Sequence, residues 1–229
     1  MPPFSVLYPV RSFVRRQGRM TDSQRRNLDI PWSRYGLEVS AEVLDLATVF
    51  GRRAPVWLEI GFGTGDFLAN LAAAHPSVDF LGIDVHRPGI GSLCGRLQAE
   101  GLTNVRLFCA DAVEVLQCCI PNEVFDQVYV LFPDPWPKQR HHKRRLIQSD
   151  FAALLRTKSV VGGQLHLATD WEDYAKQMMT VLSKAPGWWN PLGLGTFSSR
   201  LPERFPTRFE SRGLRLGHGV WDLTFIRKG

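Results

Sequence analysis

The segment LEIGFGTG, residues 58–65, decides the fold that we predict for this chain. The overlapping residues 56–60 are mainly apolar, which is typical of a short buried strand. Three glycines at alternate positions then permit a tight turn and a close approach of the backbone to a ligand. From Asp66 onward, apolar residues recur at the spacing of a helix. A strand, a glycine turn and a helix in this order begin a nucleotide-binding α/β domain.

Two carboxylates stand beside this glycine turn, and their charge bears on the ligand. Glu59 precedes the first glycine by two residues, and Asp66 follows the third. The dinucleotide pattern G-x-G-x-x-G would have a glycine at position 66, and it holds a pyrophosphate at a helix N-terminus. Two carboxylates repel a pyrophosphate and favour a cation. S-adenosylmethionine fits, because it has no phosphate and carries a sulfonium and an ammonium group. The alternative is a turn that serves only helix–strand packing.

Acidic residues also follow the next two predicted strands. Asp84 lies near the end of the strand predicted at 78–85, 19 residues after the last glycine of the turn. At about that spacing an acid accepts hydrogen bonds from ribose hydroxyls, with a plain surface carboxylate as the alternative. Asp111 follows the strand predicted at 105–109. It is a candidate either to face an adenine amino group or to cap the helix predicted at 112–119, and the spacing leaves both open.

A further acid, Asp134, is held between two prolines. It follows the strand predicted at 125–132 and is flanked by Pro133 and Pro135. Pro135 pushes the backbone of Asp134 out of the helical region toward an extended conformation. An aromatic ring, that of Trp136, follows two residues later. We therefore interpret Asp134 as a rigid carboxylate that faces the substrate. The alternative is a proline-rich connector with an incidental acid.

The net charge of +6 is unevenly distributed along the 229 residues. Segments 11–26, 138–145 and 200–215 together hold 16 basic and 3 acidic residues. The remainder holds 12 basic and 19 acidic residues. This asymmetry predicts a surface that binds a polyanion.

Composition and the remaining patterns set the domain organisation. Hydrophobic residues make up 44% of the chain, and no apolar run has the length of a membrane span. The four cysteines show no C-x-x-C spacing, which predicts no disulfide framework, no metal site and a cytoplasmic location. We predict a mobile basic arm at residues 1–35 and a single domain at 36–229. The other apolar patterns predict helices at 39–50, 66–75, 91–100 and 146–155, and strands at 164–168 and 220–226.

Several short motifs resemble those of one enzyme family. They are EIGFG (59–63), GIDVH (82–86), DAVEVL (111–116), FPDPW (132–136), KRR (143–145), ATDW (168–171), TRFE (207–210) and GHGVWDL (217–223). With these motifs, the chain resembles the bacterial tRNA (guanine-N7-)-methyltransferase family from about Arg11 to its C-terminus. Two departures are Asp84, where many members have Glu, and Arg208, where Lys is common.

The resemblance implies both a fold and a reaction. The fold would be the Rossmann-like α/β fold of class I methyltransferases, with a seven-stranded, mostly parallel sheet, helices on both faces and an antiparallel last strand. The reaction would move a methyl group from S-adenosylmethionine to N7 of a guanosine in the variable loop of tRNA, by a monomer or weak homodimer. The alternatives are a class I methyltransferase for another RNA or a small molecule, and a non-catalytic RNA-binding protein.

The resemblance and the basic segments together give the candidate site residues. Asp134 is the proposed catalytic residue, a positioner and electrostatic stabiliser more than a general base. The candidate cofactor-binding residues are Glu59, Gly61, Gly63, Gly65, Asp84, Asp111 and Asp134. The candidate substrate-binding residues are Lys138, Asp170, Thr207, Arg208, Phe209 and Glu210, and Trp136 and Phe209 are candidates to stack on the base. The candidate RNA-binding residues are Arg140, His141, His142, Lys143, Arg144 and Arg145, with Arg15, Arg16 and Arg19 in the N-terminal arm.

Overall fold

The computed structural model describes Ser12 and residues 20–204 and 219–229. Its strands are β1 (Gly36–Leu37), β2 (Val56–Ile60), β3 (Asp79–Asp84), β4 (Val105–Cys109), β5 (Phe125–Leu131), β6 (Ser159–Thr169), β7 (Trp188–Trp189) and β8 (Trp221–Arg227). Its α-helices are α1 (Asp22–Tyr35), α2 (Leu46–Phe50), α3 (Asp66–Ala74), α4 (Arg87–Ala99), α5 (Ala112–Cys118), α6 (Ser149–Lys158) and α7 (Glu172–Lys184). A 3₁₀ helix covers Gln139–Arg144.

Within the described residues, the strands form one sheet in the order β1-β4-β3-β2-β5-β6-β8-β7. Only β8 runs antiparallel to its neighbours, β6 and β7. The predicted Rossmann-like α/β class, with a mostly parallel sheet and an antiparallel last strand, is therefore confirmed. The sheet has eight strands rather than the seven predicted, because Gly36–Leu37 adds a two-residue edge strand that pairs with β4.

The strand order of the sheet reverses at β2, because strands that follow it in the chain are placed first on one side of it and then on the other. Strands β3 and β4 lie on one side of β2, whereas β5 and β6 lie on the other. In open α/β sheets, such a switch point leaves a crevice at the carboxyl ends of the strands, where ligands bind. The glycine turn that follows β2 lies at this position.

Helices cover both faces of the sheet, as predicted. On one face, α1, α3 and α4 bury Tyr35, Leu68 and Leu93 against the sheet. On the other face, α5 and α6 bury Leu116 and Phe151, and α7 packs beside them. None of the helices in the described part of the chain has the length and apolar content needed to span a bilayer.

Helix α1 lies inside the segment that we predicted as an N-terminal arm. Thr21 and Gln24 form a capping box at its start, each side chain accepting a hydrogen bond from the backbone N–H of the other. Asn27 Nδ2 donates to the carbonyl of Gly91 in α4 at 3.0 Å. A Cβ atom on Gly91 would lie 2.5 Å from the carbonyl oxygen of Gln24, so α1 and α4 are in close contact. The rest of the predicted arm, residues 1–11 and 13–19, lies outside the described residues.

The helix predicted at 39–50 is shorter in the structure and covers only Leu46–Phe50. The Asp45 side chain accepts hydrogen bonds from Ala47 N and Thr48 Oγ1 and so caps this short helix. Upstream, the Ser40 hydroxyl bonds the backbone of Glu42. Side chains of this kind satisfy backbone groups locally and compete with helix formation.

Candidate active site

A cavity of about 330 Å³ lies at the carboxyl ends of β2, β3 and β5. We call it the cleft, and its walls include Gly61, Asp84, His86, Ala110, Phe132 and Asp134. A second cavity of about 370 Å³ lies at the opposite ends of the same strands, beside the Arg52–Asp79 ion pair. The cleft is the candidate site, because it brings together the glycine turn and two acids, Asp84 and Asp134, that the sequence predicted from separate strands.

The glycine turn forms one wall of the cleft. Gly61, Gly63 and Gly65 have φ angles of 77°, 57° and 78°, a left-handed conformation that other residues rarely adopt. A Cβ atom on Gly61 or Gly63 would have no atom within 4 Å, so both glycines border open space. At Gly65 a Cβ atom would lie 2.6 Å from Leu93 of α4, so this glycine is also needed for helix packing. The packing interpretation therefore applies to Gly65, and ligand approach at Gly61 and Gly63 stays a prediction.

Asp84 connects the glycine turn to the next loop. Its Oδ2 accepts a hydrogen bond from Gly63 N at 2.8 Å, and its Oδ1 accepts one from His86 N at 2.8 Å. Burial raises the pKa of Asp84, and these backbone hydrogen bonds oppose that effect. Each carboxylate oxygen can accept a further hydrogen bond, as the predicted ribose contact requires.

Glu59 is the most unusual acid of the site. It lies in β2 and is 3% exposed, and its Oε2 has no hydrogen-bond partner among the described residues. Burial raises the pKa of Glu59 to about 8, and the negative charge of Asp84 adds to the effect. A buried carboxylate without a partner is unfavourable, so this position is suited to a cation that brings hydrogen-bond donors.

Asp111 caps a helix at the edge of the cleft. Its Oδ1 accepts a hydrogen bond from Val113 N at 2.9 Å and so begins α5. The structure therefore shows the helix cap, one of the two roles left open by the sequence. Its neighbours Ala110 and Ala112 line the cleft, and a contact from Asp111 to an adenine amino group stays a prediction.

Asp134 is exposed and lines the cleft from a short loop with unusual backbone geometry. Phe132 and Trp136, on either side of it, have φ angles of 53° and 44°. Such conformations are unfavourable for residues other than glycine and persist only where surrounding contacts hold them. The Phe132 N–H donates to the carbonyl of Ala168 at 2.8 Å, which fixes the first end of the loop. We call residues 132–136 the acid loop.

The Trp136 ring is already in contact with protein groups. The Arg144 guanidinium lies 3.9 Å from the ring centre, and the His141 ring meets its edge. Its Nε1 donates to the carbonyl of Ser12 at 3.1 Å. Stacking of Trp136 on a base stays a prediction, with one face of the ring occupied by Arg144.

The basic run that follows the acid loop is divided between surface and interior. Lys138, Arg140 and Lys143 are exposed, as expected for phosphate contacts. His141, His142 and Arg144 are half-buried. Arg145 is buried, so the structure places it in the interior rather than on the predicted RNA-binding surface. Asp170 is half-buried and lies between β6 and α7, at the carboxyl end of β6 and so at the same end of the strands as the cleft.

Some predicted residues are not placed, and some relevant residues were not predicted. Arg15, Arg16, Arg19, Thr207, Arg208, Phe209 and Glu210 lie outside the described residues. Arg204 was not predicted: it is buried, donates to Asp222 Oδ2 at 2.8 Å, and places its guanidinium 5.3 Å from the Phe132 ring centre. Nothing in a basic stretch of sequence distinguishes such an arginine from an exposed one. In the described part of the chain, no group of three or more His, Cys, Asp or Glu could hold a metal ion.

Comparison with known proteins decides the family. A family model described as "Putative methyltransferase" matches residues 53–223. A protein of Pseudomonas aeruginosa named tRNA (guanine-N(7)-)-methyltransferase is 53% identical over 95% of this chain and 89% of its own length. A protein of Alcanivorax borkumensis with the same name is 51% identical over 97% of this chain and 93% of its own. This chain belongs to the tRNA (guanine-N7-)-methyltransferase family. The resemblance predicted from the sequence motifs is thereby confirmed.

Solved structures agree with the family at the level of the fold. The antibiotic-resistance methyltransferase Kmr has a TM-score of 0.53 and 20% identity, covering 81% of this chain and 92% of its own. A 16S rRNA (adenine(1408)-N(1))-methyltransferase of Catenulisporales acidiphilia, solved with its cosubstrate SAM, also has a TM-score of 0.53 and 20% identity, with coverages of 83% and 96%. At this identity the likeness concerns the Rossmann-like methyltransferase fold alone.

Proposed function

We propose that this member of the tRNA (guanine-N7-)-methyltransferase family transfers a methyl group from S-adenosylmethionine to N7 of a guanosine in the variable loop of tRNA. The observation that carries the proposal is the buried carboxyl group of Glu59 beside the glycine turn, whose Oε2 has no hydrogen-bond partner in the described part of the chain. The names of the relatives in P. aeruginosa and A. borkumensis supply the substrate class.

The residues of the cleft fit S-adenosylmethionine. Its ammonium group would bring the donors that Glu59 Oε2 lacks within the described residues, and its ribose hydroxyls would bond the remaining acceptor sites of Asp84. The open space beside Gly61 and Gly63 allows close approach of the backbone. A ligand with a phosphate would instead be repelled by the half-buried carboxylate of Asp84. When bound, S-adenosylmethionine supplies a methyl carbon on a positively charged sulfur.

Asp134 acts on the guanine rather than on a transferred proton. Guanine N7 carries a free lone pair in the plane of its ring, so no proton has to leave before the attack. The task of the protein is therefore to hold N7 in line with the methyl carbon. The exposed Asp134 carboxylate, on the rigid acid loop, accepts hydrogen bonds from guanine N–H groups and offsets the positive charge that develops on the purine.

The exposed basic side chains next to the acid loop would bind tRNA phosphates. Lys138, Arg140 and Lys143 are exposed within ten residues of Asp134. N7 faces the deep, narrow groove of an RNA helix, so the target base has to leave its stack before it reaches Asp134, at a cost of a few kcal/mol. A tRNA substrate also implies a cytoplasmic location. A binding protein without catalysis would have no use for the buried acid at Glu59.

Methyl incorporation into unmodified tRNA tests this function. Recombinant protein would be incubated with radiolabelled S-adenosylmethionine and two transcripts of one tRNA, one of them carrying 7-deazaguanosine in place of every guanosine of the variable loop. We expect label in the first transcript and none in the second, because the second lacks the attacking nitrogen. Equal label in both transcripts would refute the proposed target.

The Asp134→Asn variant tests the proposed role of the acid. It keeps the shape of the side chain and removes its charge, so we expect a methylation rate, measured at saturating S-adenosylmethionine, lowered by roughly 100-fold or more. Methylation at the parental rate would refute the electrostatic role.

A further inference from the structure

The side chain of Arg145 forms hydrogen bonds to two separate parts of the molecule. Its Nε donates to the carbonyl of Pro135, in the acid loop, at 2.8 Å. Its Nη1 donates to Gln177 Oε1 at 2.5 Å, and its Nη2 donates to Asp173 Oδ2 at 2.7 Å, both in α7. The guanidinium also lies 4.9 Å from the centre of the Tyr174 ring. With an exposed fraction of 2%, Arg145 joins the acid loop to α7 from the interior.

The bond to Pro135 is placed where the acid loop needs support. Pro135 directly follows Asp134, and the left-handed conformations of Phe132 and Trp136 stand on either side. The first end of the loop is held by the hydrogen bond from Phe132 N to Ala168. The Arg145 bond holds the second end, so the two bonds together fix the backbone from which the Asp134 carboxylate projects.

We propose that Arg145 is a positioning residue for methyl transfer, which holds the acid loop against α7 so that Asp134 faces the cleft, and that it does not bind RNA. The inference rests on the proposed role of Asp134 and adds a residue that acts through it. A lysine cannot replace this arginine, because an ammonium has no planar set of donors that could serve three acceptors in fixed directions.

The partners of Arg145 support a fixed, charged junction. Asp173 is 63% exposed on its side chain, and the hydrogen bond from Arg145 lowers its pKa, so it stays ionised near neutral pH. Loss of the Asp173 charge would leave the buried guanidinium of Arg145 without its compensating charge, which is unfavourable. His142 also faces this aspartate, with its Nε2 3.7 Å from Asp173 Oδ2.

The test compares Arg145→Lys, which keeps the positive charge, with two variants that each remove one positive charge. Lys143→Gln changes an exposed residue of the same basic run, and Lys184→Gln changes an exposed residue at the end of α7, outside the site. For each protein, we would measure the single-turnover methylation rate at saturating tRNA, the tRNA Kd as a function of salt, and hydrogen–deuterium exchange in a peptide that covers the acid loop.

For Arg145→Lys we expect a methylation rate lowered by about tenfold to 100-fold, since misplacement of a catalytic group by about 1 Å has an effect of that size. Its tRNA Kd and salt slope should match the parent, and exchange in the acid loop should rise. Lys143→Gln should weaken tRNA binding and make the salt slope shallower, and Lys184→Gln should behave as the parent. Weaker, less salt-dependent tRNA binding by Arg145→Lys, at an unchanged rate, would overturn the inference in favour of an RNA contact.

A second variant keeps the inference testable if Arg145→Lys does not fold. Asp173→Asn changes an exposed side chain and leaves an amide oxygen as an acceptor for Arg145. We expect a smaller loss of rate and a smaller rise in exchange of the acid loop than in Arg145→Lys, and unchanged exchange would overturn the anchoring. A parent protein that is inactive on tRNA would overturn the proposed function instead, whereas the exchange result would still report on the anchoring.

Discussion

Replacing Glu59 with glutamine tests the charge of the cleft. Burial and the charge of Asp84 raise the pKa of Glu59 from 4.5 to about 8. An unfolded chain releases this proton near the ordinary pKa, whereas the folded, ligand-free protein keeps it until about pH 8. Between these values the folded state binds more protons. The stability that the protonated Glu59 contributes is therefore complete below the ordinary pKa and is lost as the pH rises toward about 8.

The size of this loss follows from the shift. One pKa unit corresponds to about 1.4 kcal/mol, so Glu59 removes roughly 3 kcal/mol from the free energy of unfolding between about pH 5 and about pH 8. Glutamine has the same shape and does not titrate, so Glu59→Gln should lack this loss. Urea unfolding of the ligand-free protein at both pH values measures it, with exposed Glu42→Gln as a control that keeps the parental pH dependence.

Binding of S-adenosylmethionine gives the same variant a second readout. In the parent, affinity should rise with pH below about 8, because Glu59 must release its proton before it pairs with an ammonium group. In Glu59→Gln, the affinity should be lower and this rise should be absent. Calorimetric measurement of S-adenosylmethionine affinity between about pH 5 and about pH 8 distinguishes the variant from the parent. An equal loss of stability with pH in both would mean that Glu59 is ionised in the ligand-free protein, and our reasoning about the cleft would be refuted.

Three further changes have expected outcomes. Asp84→Asn removes the charge and one of two backbone hydrogen bonds, so we expect S-adenosylmethionine affinity at least about tenfold lower by calorimetry and a stability loss of about 1 kcal/mol. Gly89→Ala would place a Cβ atom 1.9 Å from the carbonyl oxygen of Gly63, so thermal unfolding should show a loss of roughly 1–3 kcal/mol, with weaker donor binding; parental values would contradict the close contact. The double variant Arg140→Gln, Lys143→Gln should make the log–log salt slope of tRNA binding shallower by about 1.5, from roughly −4 in the parent, and an unchanged slope would exclude both from phosphate contact.

The central part of the fold could be predicted because its signals are local. Strands β2, β4 and β5 read as short apolar runs, and the glycine turn marks the switch between strand and helix. Helix α1 was missed, because its polar composition and Pro31 obscure the periodicity. Its capping box, Thr21 with Gln24, was the signal that could have revealed it. The helix predicted at 39–50 failed for the opposite reason, since local capping by Asp45 overrides a helical pattern.

The sequence could predict those parts of the candidate site whose position follows from the residues next to them in the chain. Asp84 and Asp134 line one cleft because Asp84 ends β3 and Asp134 follows β5, and Glu59 lies in the last turn-facing part of the neighbouring strand β2. The burial of Arg145 could not be predicted, because it depends on Asp173 and on Gln177, about 30 residues later in the chain. A basic run shows its charge but not which of its side chains turns inward.

The hydrogen bond from Trp136 to the carbonyl of Ser12 has a practical consequence for work with this protein. Ser12 also lines the cleft, so a residue that precedes the first helix forms part of its wall. Trimming the chain beyond Ser12 would remove this part of the wall. A tag is better placed at the carboxyl end. There the backbone N–H of Lys228 donates to the carbonyl of Gly187, at the edge of the sheet and away from the cleft.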